Sequence, residues 1–128
     1  MEENIKILLV DDEPDFTQPM EFWLKSKGYC VMVVPDGASA IKIIKENAPD
    51  IVFLDINMPV MDGAETLRRI REFNPDLPVI IISAYLGDRR TREATSYGIS
   101  GLFYKGEDFN KGLGLLESVL RTHKKLKR

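Results

Sequence analysis

The sequence predicts an open α/β domain, a (βα)5 doubly wound parallel sheet, and three observations predict it. Ile51 to Leu54 is an unbroken apolar run, bounded by Pro49-Asp50 and closed by Asp55. That is the pattern of a strand buried on both faces. Three further runs, Ile5 to Val10, Val79 to Ile82 and Leu102 to Tyr104, end on Asp11-Asp12, Ser83 and Lys105 respectively. Between the runs lie segments of helical apolar spacing joined by short turns, so strands and helices alternate. Right-handed crossovers, with the polar strand ends gathered at one edge, favour the strand order 2-1-3-4-5 of a flavodoxin-like sheet.

Each element has its own signal. After the first strand, Asp11-Asp12-Glu13-Pro14 turns into a helix, with Pro14 suited to its first turn. Phe16, Met20, Trp23 and Leu24 give that helix one apolar stripe, which places Trp23 in the core or at its edge. Lys27-Gly28 ends it. Cys30 to Val34 is a short second strand, and Asp36-Gly37 turns into a helix that buries Ala40, Ile41, Ile44 and Ala48 before Pro49 stops it. The Asp55 strand and its Pro59 to Gly63 loop precede a third helix. Ala64, Leu67, Ile70 and Phe73 are expected inward there, with Arg68, Arg69 and Arg71 outward.

Asn74 to Pro78 breaks the chain before the fourth strand. A helix over residues 87–97 has only Ala94 and Tyr97 as apolar anchors, so it is expected to be the adaptable element. Gly98 and Gly101 bracket the turn into the fifth strand. The last helix, from about Asn110, buries Leu113, Leu116 and Leu120, with Leu115 and Val119 broadening the stripe.

Length and composition exclude several classes. The chain of 128 residues is one domain, expected over residues 1–123, followed by a basic stretch at 124–128 that is either a solvated tail or the start of a linker. No apolar run approaches the roughly 18 residues that cross a bilayer, and Met1 is followed by Glu2-Glu3, unlike a signal peptide. A cytoplasmic domain without membrane contact is the expectation. A net charge of −2 argues against nucleic-acid binding by the domain itself. The lone Cys30 excludes an internal disulfide and is read as a small buried hydrophobe; the lone His123 is read as a solvated residue in the last helical turn.

The strand ends carry the chemistry. Asp55 closes a buried strand, and such a charge is costly without partners. In a parallel sheet Asp11, Asp12, Ser83 and Lys105 converge on it at the carboxyl edge, where such folds bind ligands. Three acids, a hydroxyl and an amine then form one site.

These pieces, Leu9-Val10-Asp11-Asp12-Glu13, the Leu54 to Gly63 run, Ser83-Ala84 and Lys105, resemble the receiver domain of two-component response regulators over essentially the whole chain. The resemblance implies that Asp55 is the phosphoacceptor for a histidine kinase or phosphotransfer protein. It also implies Mg2+ ligated by Asp12, Asp55 and the main-chain carbonyl of Asn57, with Asp11 acting through a bound water. Oxygen-only donors suit that ion. Lys105 would supply charge to the phosphoryl oxygens and Ser83 a hydroxyl donor. The added charge would draw on the Ser83 loop and shift an output surface of the fourth helix, fifth strand and fifth helix, read by a downstream protein, a fused output domain or, as a homodimer, a second copy. On this reading the chain is a signalling domain that catalyses only its own phosphorylation and dephosphorylation.

The chain departs from that family at two places. Gly106 stands where a proline usually follows the lysine, and because a non-proline cis bond costs about 2.5–4 kcal/mol, a trans Lys105-Gly106 bond is expected. Leu102 stands where a switch aromatic is common; either Tyr104 substitutes for it or the coupling runs differently. Strand alternation puts Leu102 and Tyr104 on one face, Phe103 and Lys105 on the other.

Three other readings compete. A haloacid-dehalogenase-like phosphatase wants a second Asp where this chain has Asn57. An FMN-binding flavodoxin relative wants hydroxyls and glycine where this chain has Asp11-Asp12-Glu13. A receiver-like interaction module that works without phosphorylation is the third.

Overall fold

Residues 4–123 are described by the computed structural model, so the basic stretch expected at 124–128 lies outside the described residues. Five strands, β1 (Lys6–Val10), β2 (Cys30–Val34), β3 (Ile51–Asp55), β4 (Val79–Ser83) and β5 (Gly101–Tyr104), alternate with five helices. The helices are α1 (Pro14–Ser26), α2 (Gly37–Glu46), α3 (Gly63–Phe73), α4 (Arg89–Ser96) and α5 (Phe109–Thr122). All strand pairs are parallel and the order is β2-β1-β3-β4-β5, as the sequence predicts.

The period-2 pleat divides each apolar run between two cores. Leu8, Val10, Val52, Leu54, Val79 and Ile81 face α2, α3 and α4, where they meet Ala40, Ile44, Leu67, Ile70 and Ala94. Ile7, Leu9, Ile51, Phe53, Ile80 and Ile82 face α1 and α5, against Met20, Leu24, Leu116 and Leu120. Phe103 joins this second core while Leu102 packs on the first, the alternation expected of β5. Burying such side chains stabilises by about 1.5–3 kcal/mol each, enough to hold charged groups at the strand ends.

Local chemistry fixes the joints. Lys27 caps α1 and Gly28 takes φ +96, a left-handed turn that a residue with a Cβ resists. The side chains of Asp36, Asp62, Asp88 and Asp108 each accept a backbone N–H in the first turn of the following helix. Gly63 is fixed by contact: a Cβ there would lie 2.3 Å from the Asp55 carbonyl oxygen. The start of α3 is thereby pressed onto the end of β3. No peptide bond among the described residues is cis, so Lys105-Gly106 is trans as expected.

Four expectations are corrected. Ala48 is exposed, because α2 ends at Glu46; residues just before Pro49 are disfavoured in helical geometry. Phe73, at the last position of α3, is partly exposed and lies under the Lys45 ammonium, 5.1 Å from its ring centroid. Cys30 is exposed rather than buried: β2 is an edge strand, and α2 leaves open the corner lined by Cys30, Met32 and Ile43. Arg71 does not point outward. Its half-buried guanidinium donates to the carbonyls of Tyr97 (3.1 Å), Gly98 (2.7 Å) and Asn74 (3.1 Å), tying the end of α3 to the end of α4. Trp23, half-buried against Phe109, and the exposed His123 at the end of α5 sit as the sequence suggests.

Candidate functional site at the carboxyl edge of the sheet

Parallel strands of matched register deliver their carboxyl ends to one place. Asp55 is the last residue of β3, and Ser83 is the last of β4, opposite Tyr104. Asp11 follows β1 directly, its N–H donating to Val34, and Lys105 follows β5, its N–H donating to Ser83. Asp11 and Asp55 are 2% and 1% exposed, so both carboxylates have lost nearly all contact with water.

Carboxylate oxygens of Asp11, Asp12 and Asp55 lie within 4.8 Å of one another, with Asp12 on the solvent side. The Lys105 ammonium faces them. Its Nζ lies 2.9 Å from Asp11 Oδ2 and 3.5 Å from Asp55 Oδ2, and it forms an ion pair with Glu13. The buried Asp11 Oδ2 is held by its close ion pair with Lys105. The other Asp11 oxygen accepts the Glu13 N–H (2.9 Å), and Asp55 Oδ1 accepts the Asn57 N–H (3.2 Å). Phe16 closes one side, its ring centroid 5.2 Å from the ammonium.

Three carboxylates, those of Asp11, Glu13 and Asp55, therefore share one ammonium, with the Asp12 carboxylate beside them. Burial, and then the neighbouring Asp11 charge, pushes the Asp55 carboxyl up to about 7. Burial also raises that of Asp11, against the pull of Lys105. Burial works against the Lys105 charge too, yet Glu13 and Asp11 outweigh it and hold the ammonium above its ordinary range. A site with this excess of hard oxygen donors suits a small divalent cation.

One expected member, Ser83, is nearby but engaged elsewhere, and the side chain of Asn57, expected to act through its main-chain carbonyl, has a partner of its own. The fully buried Ser83 hydroxyl donates to the Tyr85 carbonyl (2.8 Å) and accepts its N–H (3.2 Å). The Asn57 side chain is exposed, and its Oδ1 accepts from Arg90 Nη1 at 3.0 Å. Sequence reasoning missed three participants. Glu13 was legible as the third acid of a run, but its partner is 92 positions away. Arg90 reads as one polar residue of a weakly anchored helix, and no motif singles out the fork it forms with Asp88 at the N-cap.

A family model of the response regulator receiver domain matches residues 7–117. The chain belongs to that family. Among curated relatives, the transcriptional regulatory protein PrrA of Mycobacterium tuberculosis is 35% identical over 124 residues, covering 96% of this chain and 50% of PrrA. Among solved structures, the receiver domain of NtrX from Brucella abortus superposes with a TM-score of 0.84 at 30% identity, covering 91% of this chain and 98% of that one. A CheY-like receiver domain protein from Methanospirillum hungatei reaches 0.90 at 20% identity, covering 96% and 98%, which shows the shared fold.

This receiver domain thus serves phosphorylation-based two-component signalling, and its clustered Asp11, Asp12 and Asp55 carboxylates are close enough together to hold a metal ion. Family membership displaces the phosphatase and flavin readings, and the phosphorylation-independent module is not favoured. The chain spans about half the length of the curated relatives first matched. No helix among the described residues is long and apolar enough to cross a membrane.

Proposed function

We propose that Asp55 accepts a phosphoryl group from a histidine kinase or phosphotransfer protein. The observation that carries this reading is the meeting of three carboxylates and Lys105 around Asp55, buried at the end of the central strand. In the transfer an Asp55 oxygen forms a bond to phosphorus as the donor's P–N bond breaks, the electron pair leaving with the imidazole nitrogen. The attacking group must be ionised. Burial opposes that ionisation and positive charge restores it, the part assigned to Lys105.

The donor set fits Mg2+: Asp12, Asp55 and the Asn57 main-chain carbonyl would hold it directly, with Asp11 one water away. When bound, the ion supplies positive charge and in-line orientation for phosphoryl transfer. Lys105 balances the equatorial oxygens, and the Ser83 hydroxyl turns from Tyr85 to donate to one of them. Release of the phosphoryl group to water at the same site resets the domain.

The added charge of about −1.5 to −2 acts on the β4–α4 loop and shifts the α4-β5-α5 surface. That surface is read by a fused output domain, a separate downstream protein or a second copy. Residues 1–123 form the receiver unit, and its place of action is the cytoplasm. Incubation with acetyl phosphate, with and without Mg2+, tests the reading by intact mass. One phosphoryl group should be gained only with Mg2+ and lost in Asp55→Ala. No gain in the wild-type chain under conditions that load other receivers overturns it.

A further inference from the structure

Arg90 lies in the first turn of α4, and its guanidinium has two faces. Nε and Nη2 grip the two carboxylate oxygens of Asp88 at 3.0 and 2.7 Å, while Nη1 reaches across to Asn57 Oδ1 at 3.0 Å. Asp88 is also the N-cap of α4, accepting the Arg90 N–H at 2.9 Å. The fork is therefore locked to the start of the helix. Its free edge rests on the loop that follows the phosphoacceptor strand, 33 positions away.

This arrangement exceeds what a helix cap needs, because a cap bond to the backbone leaves the arginine side chain free. Arg90 is also placed to sense the site. The charges of Asp62 and Asp55 both act on its guanidinium, although its nearest carboxylate is Asp88. Lys105 lies on the β5 side of Asp55, whereas Arg90 enters from α4. Apart from the half-buried Tyr97 beside its end, α4 has Ala94 as its one buried residue. A force applied through Arg90 thus meets little resistance from packing.

We propose that Arg90 is a second cation of the site, and that it carries α4 with it when Asp55 is phosphorylated. The guanidinium exchanges Asn57 Oδ1 for phosphoryl oxygens, which are the stronger acceptors. Because Asp88 keeps hold of its other edge, the first turn of α4 follows. The residue thereby stabilises the phosphorylated state and transmits it. This inference rests on Asp55 being the phosphoacceptor.

The test compares wild type, Arg90→Gln and Arg90→Lys after loading with acetyl phosphate and Mg2+. Phosphoryl lifetime is read by intact mass, and α4 protection by hydrogen exchange at residues 89–96. Arg90→Gln should shorten the lifetime by about tenfold, the weight of one charge-assisted contact, and should abolish the change in α4 exchange on phosphorylation. Arg90→Lys keeps the charge but cannot form the fork, so it should restore most of the lifetime and none of the α4 response. If the wild type takes up no phosphoryl group, the phosphoacceptor reading fails and the inference falls with it. If wild type and Arg90→Gln load alike, decay alike and show the same change in α4 exchange, the phosphoacceptor reading stands and the role of Arg90 is overturned.

Discussion

α3 and α4 border the same site and are capped by the same chemistry, yet they are held in opposite ways. α3 buries Ala64, Leu67 and Ile70 completely in the core beneath the sheet, and Thr66 against Gly37 of α2. α4 buries Ala94 and is otherwise tied at its two ends: by Arg90 to Asn57 at the start, and by Arg71 to the Tyr97 and Gly98 carbonyls at the finish. Apolar burial is non-directional and indifferent to a charge arriving nearby. Polar straps are directional, and a charge can compete for them. One side of Asp55 is thus walled by apolar burial and the other by a helix held mainly through polar straps.

The largest expected effect breaks the apolar wall. Leu67→Ala should cost about 2–5 kcal/mol in urea unfolding, the usual range for a fully buried leucine. A loss below about 1 kcal/mol would mean that α3 is no better anchored than α4.

The second prediction probes the acid between the walls. In the metal-free protein the folded state holds the Asp55 proton up to about 7, against the ordinary 3.8 of the unfolded chain. The folded form binds that proton more tightly, so this contribution to stability is fully present below the lower value and is lost as pH rises through the higher. Asp55→Asn has no proton to lose. With chelator present it should show a flatter stability profile between pH 5 and 8, and be the more stable protein at pH 8. Parallel profiles would make Asp55 an ordinary exposed-type carboxyl.

A third test sets the two caps against each other. Asp62→Ala and Asp88→Ala each remove a side-chain bond to a first-turn N–H, worth about 1 kcal/mol. At α3 the loss should lower global stability. At α4 it should appear mainly as faster local hydrogen exchange, since that helix can open alone. Equal global losses would erase the contrast.

The smallest effect lies in the loop between β3 and α3. Val60 is fully exposed and adopts φ 70, a left-handed conformation that a β-branched side chain resists. Val60→Gly should stabilise by about 0.5–1 kcal/mol, the relieved strain exceeding the extra entropy of glycine in the unfolded chain. A loss of stability would show that the conformation is free of strain.

The strands and helices were legible because their signals are periodic and local. Ile51 to Asp55 reads as a doubly buried strand whatever surrounds it, and Asp36, Gly28 and Pro14 act on the turn they occupy. Where pattern misled, neighbours decided. The reading of Cys30 to Val34 as a strand was sound, yet Cys30 is exposed because this edge strand lacks cover at that corner. The apolar stripe of α3 was sound as well, but its last member, Phe73, packs under Lys45 instead of in the core.

By itself the sequence determined five alternating units, their order in the sheet, and the delivery of Asp11, Asp12, Asp55, Ser83 and Lys105 to one edge. A strand's end is set by its own residues, and parallel pairing brings the ends together. Only the tertiary structure decided how those groups are partnered. The ammonium of Lys105 goes to Asp11 and Glu13, the Ser83 hydroxyl turns to Tyr85, Arg71 reaches the end of α4, and Arg90 spans from Asp88 to Asn57. Long, flexible side chains choose among acceptors from several elements, and that choice rests on distances created only once the sheet has closed.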